Sequence, residues 1–154
     1  MTDTRELIER FNAAWQRGDL ATLSELLDED VVYCPNAWDG PARTAHGRNA
    51  VIAVFAEQIG PTRTEQISHS PTERVGSGVT GQGSAGDSDA EEGGFGEGPV
   101  LGDVFASGER AVCEWQWQPA GDGTVLRGVD VYRVRDGRIV AKDVYGKITA
   151  PPPR

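Results

Sequence analysis

Apolar residues follow two different periods along this chain, a helical one in the first part and a strand-like one in the last. Leu7, Ile8, Phe11, Ala14 and Trp15 form one helical stripe. Asp3 is placed to cap its start with Glu6 reaching back, and Gly18 to stop it. Asp19 then caps a short second helix whose apolar face is Leu20, Leu23, Leu26 and Leu27, and the β-branched run at Val31, Val32 and Tyr33 predicts a strand. After a turn-rich loop from Cys34 to Gly47, a third helical stripe holds Val51, Ile52, Val54, Phe55 and Ile59 until Gly60-Pro61 ends it.

A weak strand candidate spans Thr64 to Ser68, after which composition shifts to Gly, Ser, Asp and Glu between about 76 and 98. That segment holds almost no apolar side chain except Phe95, so a disordered surface insertion is the expected state. Strand character resumes from Gly98-Pro99 to Phe105, turns at Ser107-Gly108, continues from Ala111 to Gln118 and turns again at Gly121 to Gly123. The closing segment, Arg127 to Lys147, is two alternating runs joined at Asp136-Gly137, a pair suited to the positive φ angles of a tight hairpin. Helices first and a meander afterwards predict an α+β fold, with three N-terminal helices on one face of a strongly curved antiparallel sheet. A curved sheet capped by helices encloses a cone-shaped hollow, the kind of place where small ligands bind.

Length and composition narrow this further. With 154 residues, 38% of them hydrophobic, the chain can bury one core but hardly two. A formal charge of −9 without a segregated basic stripe argues against nucleic acid and anionic membrane surfaces as partners. Cys34 and Cys113 lie in apolar stretches without metal-type spacing, and His46 and His69 form no ligand pair with acids, so neither a metal nor a disulfide is expected. His46, just before the third helix, is read as a cap or a residue of the pocket rim. No phosphate-cradling glycine motif follows a strand, so no nucleotide cofactor is expected. MTDTRELIER lacks a signal-peptide core, and the expected location is the cytoplasm.

Four segments carry a resemblance to a known family: FNAAWQRGDLATLSELLDEDVVY, HGRNAVIAVF, CEWQWQ and RGVDVYRVRDGRIVAKDVYGK. In these the chain resembles the SnoaL-like branch of the nuclear transport factor 2-like superfamily. The resemblance implies a cystatin-like, cone-shaped α+β barrel over residues 1–149 with a Pro-rich tail at 150–154, frequently a homodimer through the convex side of its sheet. Relatives include polyketide cyclases, ketosteroid isomerases and limonene epoxide hydrolases, so membership leaves the reaction open. The chain departs from the cyclase pattern at Tyr145-Gly146-Lys147, where Lys147 stands in place of the cyclase acid. Arg127 and Asp130 are spaced one residue wider than the arginine and aspartate of the epoxide hydrolases, which turns one of the two side chains away.

Asp130 is the centre of the functional reading. Alternation puts Leu126, Gly128, Asp130, Tyr132 and Val134 on one strand face, and the arginines 127, 133 and 135 with Val129 and Val131 on the other. The arginines mark the convex side, so Asp130 shares the concave face with Tyr132 and is a candidate general base for a carbon-bound proton. The competing reading gives it a hydrogen bond from Tyr33, Trp15 or a backbone amide, or an ion pair with Lys142 or Lys147. Under the family register Tyr145 and Lys147 also line the hollow, as a phenol donor and an ammonium for an enolate or carboxylate; otherwise Lys142 and Lys147 are ordinary solvated lysines. Trp15, Tyr33, Trp38, Phe55, Trp115 and Tyr132 are the candidate ligand-binding residues and imply a small hydrophobic molecule. Two functions follow: a cofactor-independent isomerase, cyclase or lyase of a small hydrophobic carbonyl or polyketide-like compound, or a non-catalytic ligand-binding or dimerisation module.

Overall fold

The computed structural model describes residues 3–37, 41–60, 98–118 and 123–149. Its elements are α1 (Thr4–Arg17), α2 (Leu20–Leu26), β1 (Leu27–Cys34), β2 (Ala45–His46), α3 (Arg48–Ile59), β3 (Val100–Ser107), β4 (Arg110–Trp117), β5 (Val125–Arg135) and β6 (Arg138–Thr149). The strand expected at 64–68, the glycine-rich segment up to residue 97, Trp38 and the tail at 150–154 lie outside the described residues.

The three helices form where the apolar stripes predict them. Asp3 caps α1 by accepting from the Arg5 amide at 3.1 Å, and Gly18 closes it in the left-handed region at φ 68°. Leu7, Ile8 and Phe11 of α1, Leu23 of α2 and Val51 and Phe55 of α3 are sealed against one face of the sheet. Gly47, not His46, is the N-cap of α3, while His46 pairs with Val32 in the short β2.

The sheet runs β2-β1-β6-β5-β4-β3 and is curved without closing into a barrel. Strands β3 to β6 form the expected antiparallel meander. β1, however, lies parallel to β6, so the sheet is mixed where alternation alone predicts an antiparallel one. Hairpin turns dictate the direction of β4, β5 and β6, but β1 reaches β6 only after α3 and the whole meander. Its direction is therefore set by packing rather than by a turn.

One irregularity in β6 governs everything beyond it. Arg133 pairs with Ala141 and Val134 with Ile139, so Val140 is an extra residue that bulges from the ladder. Ile139 points into the core before the bulge; after it, Lys142, Val144, Gly146 and Ile148 share the inner face, opposite Tyr132, Asp130, Gly128 and Leu126. A one-residue slip exchanges the two faces of a strand.

At the hairpin tip Asp136 and Gly137 have φ of 50° and 73°. Gly137→Ala is expected to cost about 1–2 kcal/mol, because in that region an alanine Cβ crowds the following carbonyl oxygen without the local hydrogen bonding open to an aspartate. A urea titration checks it as a lower midpoint at unchanged slope.

Candidate functional site

Burial along the inner face falls in one direction. On β5 it runs from Tyr132 and Asp130, both buried, to half-buried Gly128 and Leu126. β6 passes from buried Lys142 to Val144 and Gly146 and ends at Ile148, 58% exposed, while β4 passes from Cys113 to Trp115 and ends at Trp117, 37% exposed. The inner face thus grades from sealed to open over about 20 Å, at roughly 3.3 Å per strand residue. Asp130 and Lys142 stand where sealed side chains give way to half-buried ones.

Those two residues form a buried ion pair. Lys142 Nζ lies 2.8 Å from Asp130 Oδ2, with Lys142 5% and Asp130 7% exposed. Tyr132 Oη donates to the same Oδ2 at 3.1 Å, and Trp115 Nε1 donates to Oδ1 at 3.0 Å. The ammonium is boxed by the rings of Tyr33, Tyr132 and Trp15, at 5.3, 5.6 and 5.7 Å from their centres. Behind the pair, Asn12 Nδ2 donates to Cys113 Sγ at 3.4 Å and Asn12 Oδ1 lies 3.4 Å from Tyr132 Oη. Each charge is offset by the other and by neutral dipoles, the condition under which a pair can be buried at all.

Glycine makes room for this geometry at one point. A Cβ on Gly128 would stand 2.2 Å from Trp115 Cζ2 and 2.4 Å from the Tyr145 carbonyl oxygen, so the indole lies directly over this residue. Only a bare backbone at 128 lets Trp115 lie flat enough to reach Asp130.

The environment also moves nearby phenols and a thiol. Burial, reinforced by the Asp130 carboxylate, pushes the Tyr132 phenol well above the ordinary range. Burial raises Tyr33 despite the opposing Lys142 ammonium, and raises the Cys113 thiol. Tyr145 is raised for another reason, the hydrogen bond it donates to Asp143 at 2.8 Å.

Of the residues singled out from sequence, Asp130, Tyr132, Trp115, Trp15, Tyr33 and Phe55 come together on the inner face. Trp15 packs edge-on against Phe55 at 4.8 Å, Tyr33 donates to Gln58 at 3.0 Å, and Tyr132 and Phe55 are fully sealed. Tyr145 and Lys147 do not join them. The Val140 bulge turns both to the outer face, opposite Val129 and Arg127, with Tyr145 60% exposed. There, together with Glu114 and Gln116, they line a groove of about 510 Å³ on the convex side. Of the two lysines weighed from sequence as ion-pair partners of Asp130, Lys142 is the one that pairs, and Trp115 rather than Trp15 or Tyr33 donates to the carboxylate. Sequence reasoning passes over Asn12, and the signal that favours Lys142 is the aromatic residue opposite it on each neighbouring strand, Tyr33 on β1 and Tyr132 on β5. Among the described residues no three His, Cys, Asp or Glu side chains gather as a metal site, and no helix is long and apolar enough to cross a membrane.

Comparison with known proteins gives this geometry a context. The family model described as a SnoaL-like domain matches residues 8–82 and 99–142. No curated protein matches the chain significantly. Among solved structures, an NTF2-like protein of unknown function from Mesorhizobium loti is 27% identical, with a TM-score of 0.61 over 94% of this chain and 90% of its own. A candidate ketosteroid isomerase from Kribbella flavida is 16% identical (TM-score 0.59; 98% and 82% covered), and an LEH-like epoxide hydrolase from M. tuberculosis 17% identical (TM-score 0.55; 94% and 82% covered). The last two likenesses show a shared fold.

Gly128→Ala is expected to lose about 1–3 kcal/mol of stability by forcing Trp115 off its seat; near-ultraviolet circular dichroism of the indole reports the displacement, and an unchanged spectrum would contradict it. All three tyrosines of the chain are raised. A titration at 295 nm should therefore show well under half of the phenolate absorbance at pH 10, where free tyrosine is about half ionised. The folded chain keeps protons that the unfolded chain releases above about pH 10, so this stability is intact below that pH and is lost as pH rises toward the folded values.

Proposed function

The chain belongs to the SnoaL-like domain family, and from that membership we propose that the inner face of its sheet lines a funnel that takes a small hydrophobic carbonyl or polyketide-like compound and transforms it by acid-base chemistry without a cofactor. The reaction class is isomerase, cyclase or lyase. The observation that carries the reading is Asp130, a carboxylate at the inner limit of an aromatic funnel. Tyr132 and Trp115 orient it, and one of its roughly four lone-pair directions is still free for a carbon-bound proton. Ligand contacts fall to Trp15 and Trp115, which are half-buried, with Tyr33, Phe55 and Tyr132 forming the packed wall behind them. The resemblance to an isomerase and an epoxide hydrolase supports the same class of small-molecule pocket. A second copy of the chain, packed on the convex side where Val100, Phe105 and Tyr145 are exposed, is the proposed partner.

A second reading rests on a specific observation: three donors, Lys142 among them, already hold Asp130, which suits a non-catalytic ligand-binding module. One experiment separates the two. Wild type and Asp130→Asn are screened against cyclic ketones and polyketide-like β-dicarbonyls, recording thermal shift and exchange of the α-proton for deuterium by NMR. Catalysis predicts exchange by wild type and a loss of about 10²–10⁴-fold in Asp130→Asn with binding retained. Equal exchange in both proteins rejects Asp130 as the base, and binding without exchange in wild type selects the module.

A further inference from the structure

We propose that Lys142 is the second catalytic residue of this funnel, the cation on which the ligand's carbonyl oxygen docks and the resulting enolate is held. The inference rests on the acid-base reading above and names the group that reading lacks once Tyr145 and Lys147 are found on the outer face.

Lys142 and Lys147 are the only lysines in the sequence. With Lys147 on the convex side, Lys142 is the one ammonium on the inner face among the described residues. It sits at the depth where buried side chains give way to half-buried ones, beside the candidate base. Of its three N–H donors, one meets an oxygen, Asp130 Oδ2 at 2.8 Å. The other two face the rings of Trp15, Tyr33 and Tyr132, and no further oxygen acceptor is recorded for them among the described residues. The shortage of acceptors extends up the funnel. Asn36 Oδ1 accepts from the Gly146 amide at 3.1 Å, but its buried Nδ2 has no partner among the described residues. Buried donors without acceptors are exceptions in folded proteins, and a ligand that brings oxygen acceptors satisfies them. Asp130, by contrast, already accepts three bonds, so the site asks for acceptors more than for donors.

Charge balance gives this arrangement a reaction. When Asp130 removes a proton from the carbon beside a carbonyl, the C–H bond breaks, its electron pair becomes the C=C bond, and the carbonyl π pair moves onto oxygen. Asp130 becomes neutral in the same step. Lys142 thus loses its carboxylate partner as an enolate oxygen appears, and the ion pair passes from Asp130 to the ligand. The number of charges in the funnel stays constant throughout. An arginine could not be reached by a small oxygen in the same compact way, since the ammonium concentrates its charge on one rotatable group.

Phenols imitate the enolate, and their ionisation reports the cation directly. 4-Nitrophenol and 7-hydroxycoumarin are titrated by absorbance with wild type, Lys142→Met, Asp130→Asn, the Asp130→Asn/Lys142→Met double variant and Lys147→Met. The inference predicts that wild type shifts the bound phenol toward phenolate by at least tenfold. Asp130→Asn should shift it further, Lys147→Met should match wild type, and both proteins lacking Lys142 should lose the shift. Should Lys142→Met alone fail to fold, the double variant decides, since it leaves no uncompensated charge. A shift that survives without Lys142 overturns the role of Lys142 while leaving Asp130 and the pocket standing. Failure of either phenol to bind wild type at millimolar concentration overturns both.

Discussion

Neither Asp130 nor Lys142 could occupy its depth alone. An isolated charge out of water costs many kcal/mol, and even a good ion pair recovers that only when the remaining lone pairs and protons are also met. Here the carboxylate is met by Trp115 and Tyr132, whereas the ammonium has one carboxylate oxygen and three ring faces, the weaker half of the balance. The pair is therefore the junction at which β4, β5, β6, β1 and α1 are matched: each contributes a side chain that the pair requires. An apolar pair of the same volume would often hold such a core equally well, so stability alone does not account for two charges at this depth.

Two small backbone features bring the pair together. The extra residue at Val140 moves Lys142 onto the inner face, and the bare backbone at Gly128 gives the Trp115 indole the clearance to lie against β5. The first acts by shifting the two-residue alternation of β6, the second by short-ranged steric clearance, and neither leaves much tolerance. The same bulge sends Tyr145 and Lys147 outward, where Lys147 lies opposite Arg127 across the ladder. Like charges directly opposed across two strands are mildly unfavourable, and they sit beside exposed apolar side chains on the convex side.

What could be read from the sequence was the part governed by local periodicity. The three helical stripes, the Asp136-Gly137 turn and the face of Asp130 all follow from spacings of two to four residues, and the arginines at 127, 133 and 135 identify the outer side of β5 without any tertiary information. The face of β6 could not be read in this way. Ile139 belongs to the core, and strict alternation from it carries Tyr145 and Lys147 inward; the bulge that reverses this lies in a uniform stretch, Arg138 to Ala141, with no glycine or proline to mark it. That Lys142 rather than Lys147 pairs with Asp130 could not be read for a related reason. Its partners are a tyrosine on β1, a tyrosine and an aspartate on β5 and a tryptophan on α1, and none of these is close to it in sequence. The parallel placement of β1 was equally hidden, since no turn joins it to β6.

That parallel placement has a kinetic consequence. Leu27 of β1 finds its neighbour in Ile139, and Tyr33 in Lys142, across most of the chain. Contacts of such long sequence separation slow folding, because loop closure must be completed before any of them is formed. During synthesis the helices and β1 emerge from the ribosome well before β6, so the hydrogen-bonding edge of β1 and the aromatic ring of Tyr33 stay unsheltered until the last strand arrives. Assembly of the charged pair is then among the final events of folding, and a nascent chain held short of β6 presents an open strand edge of the kind that chaperones shield.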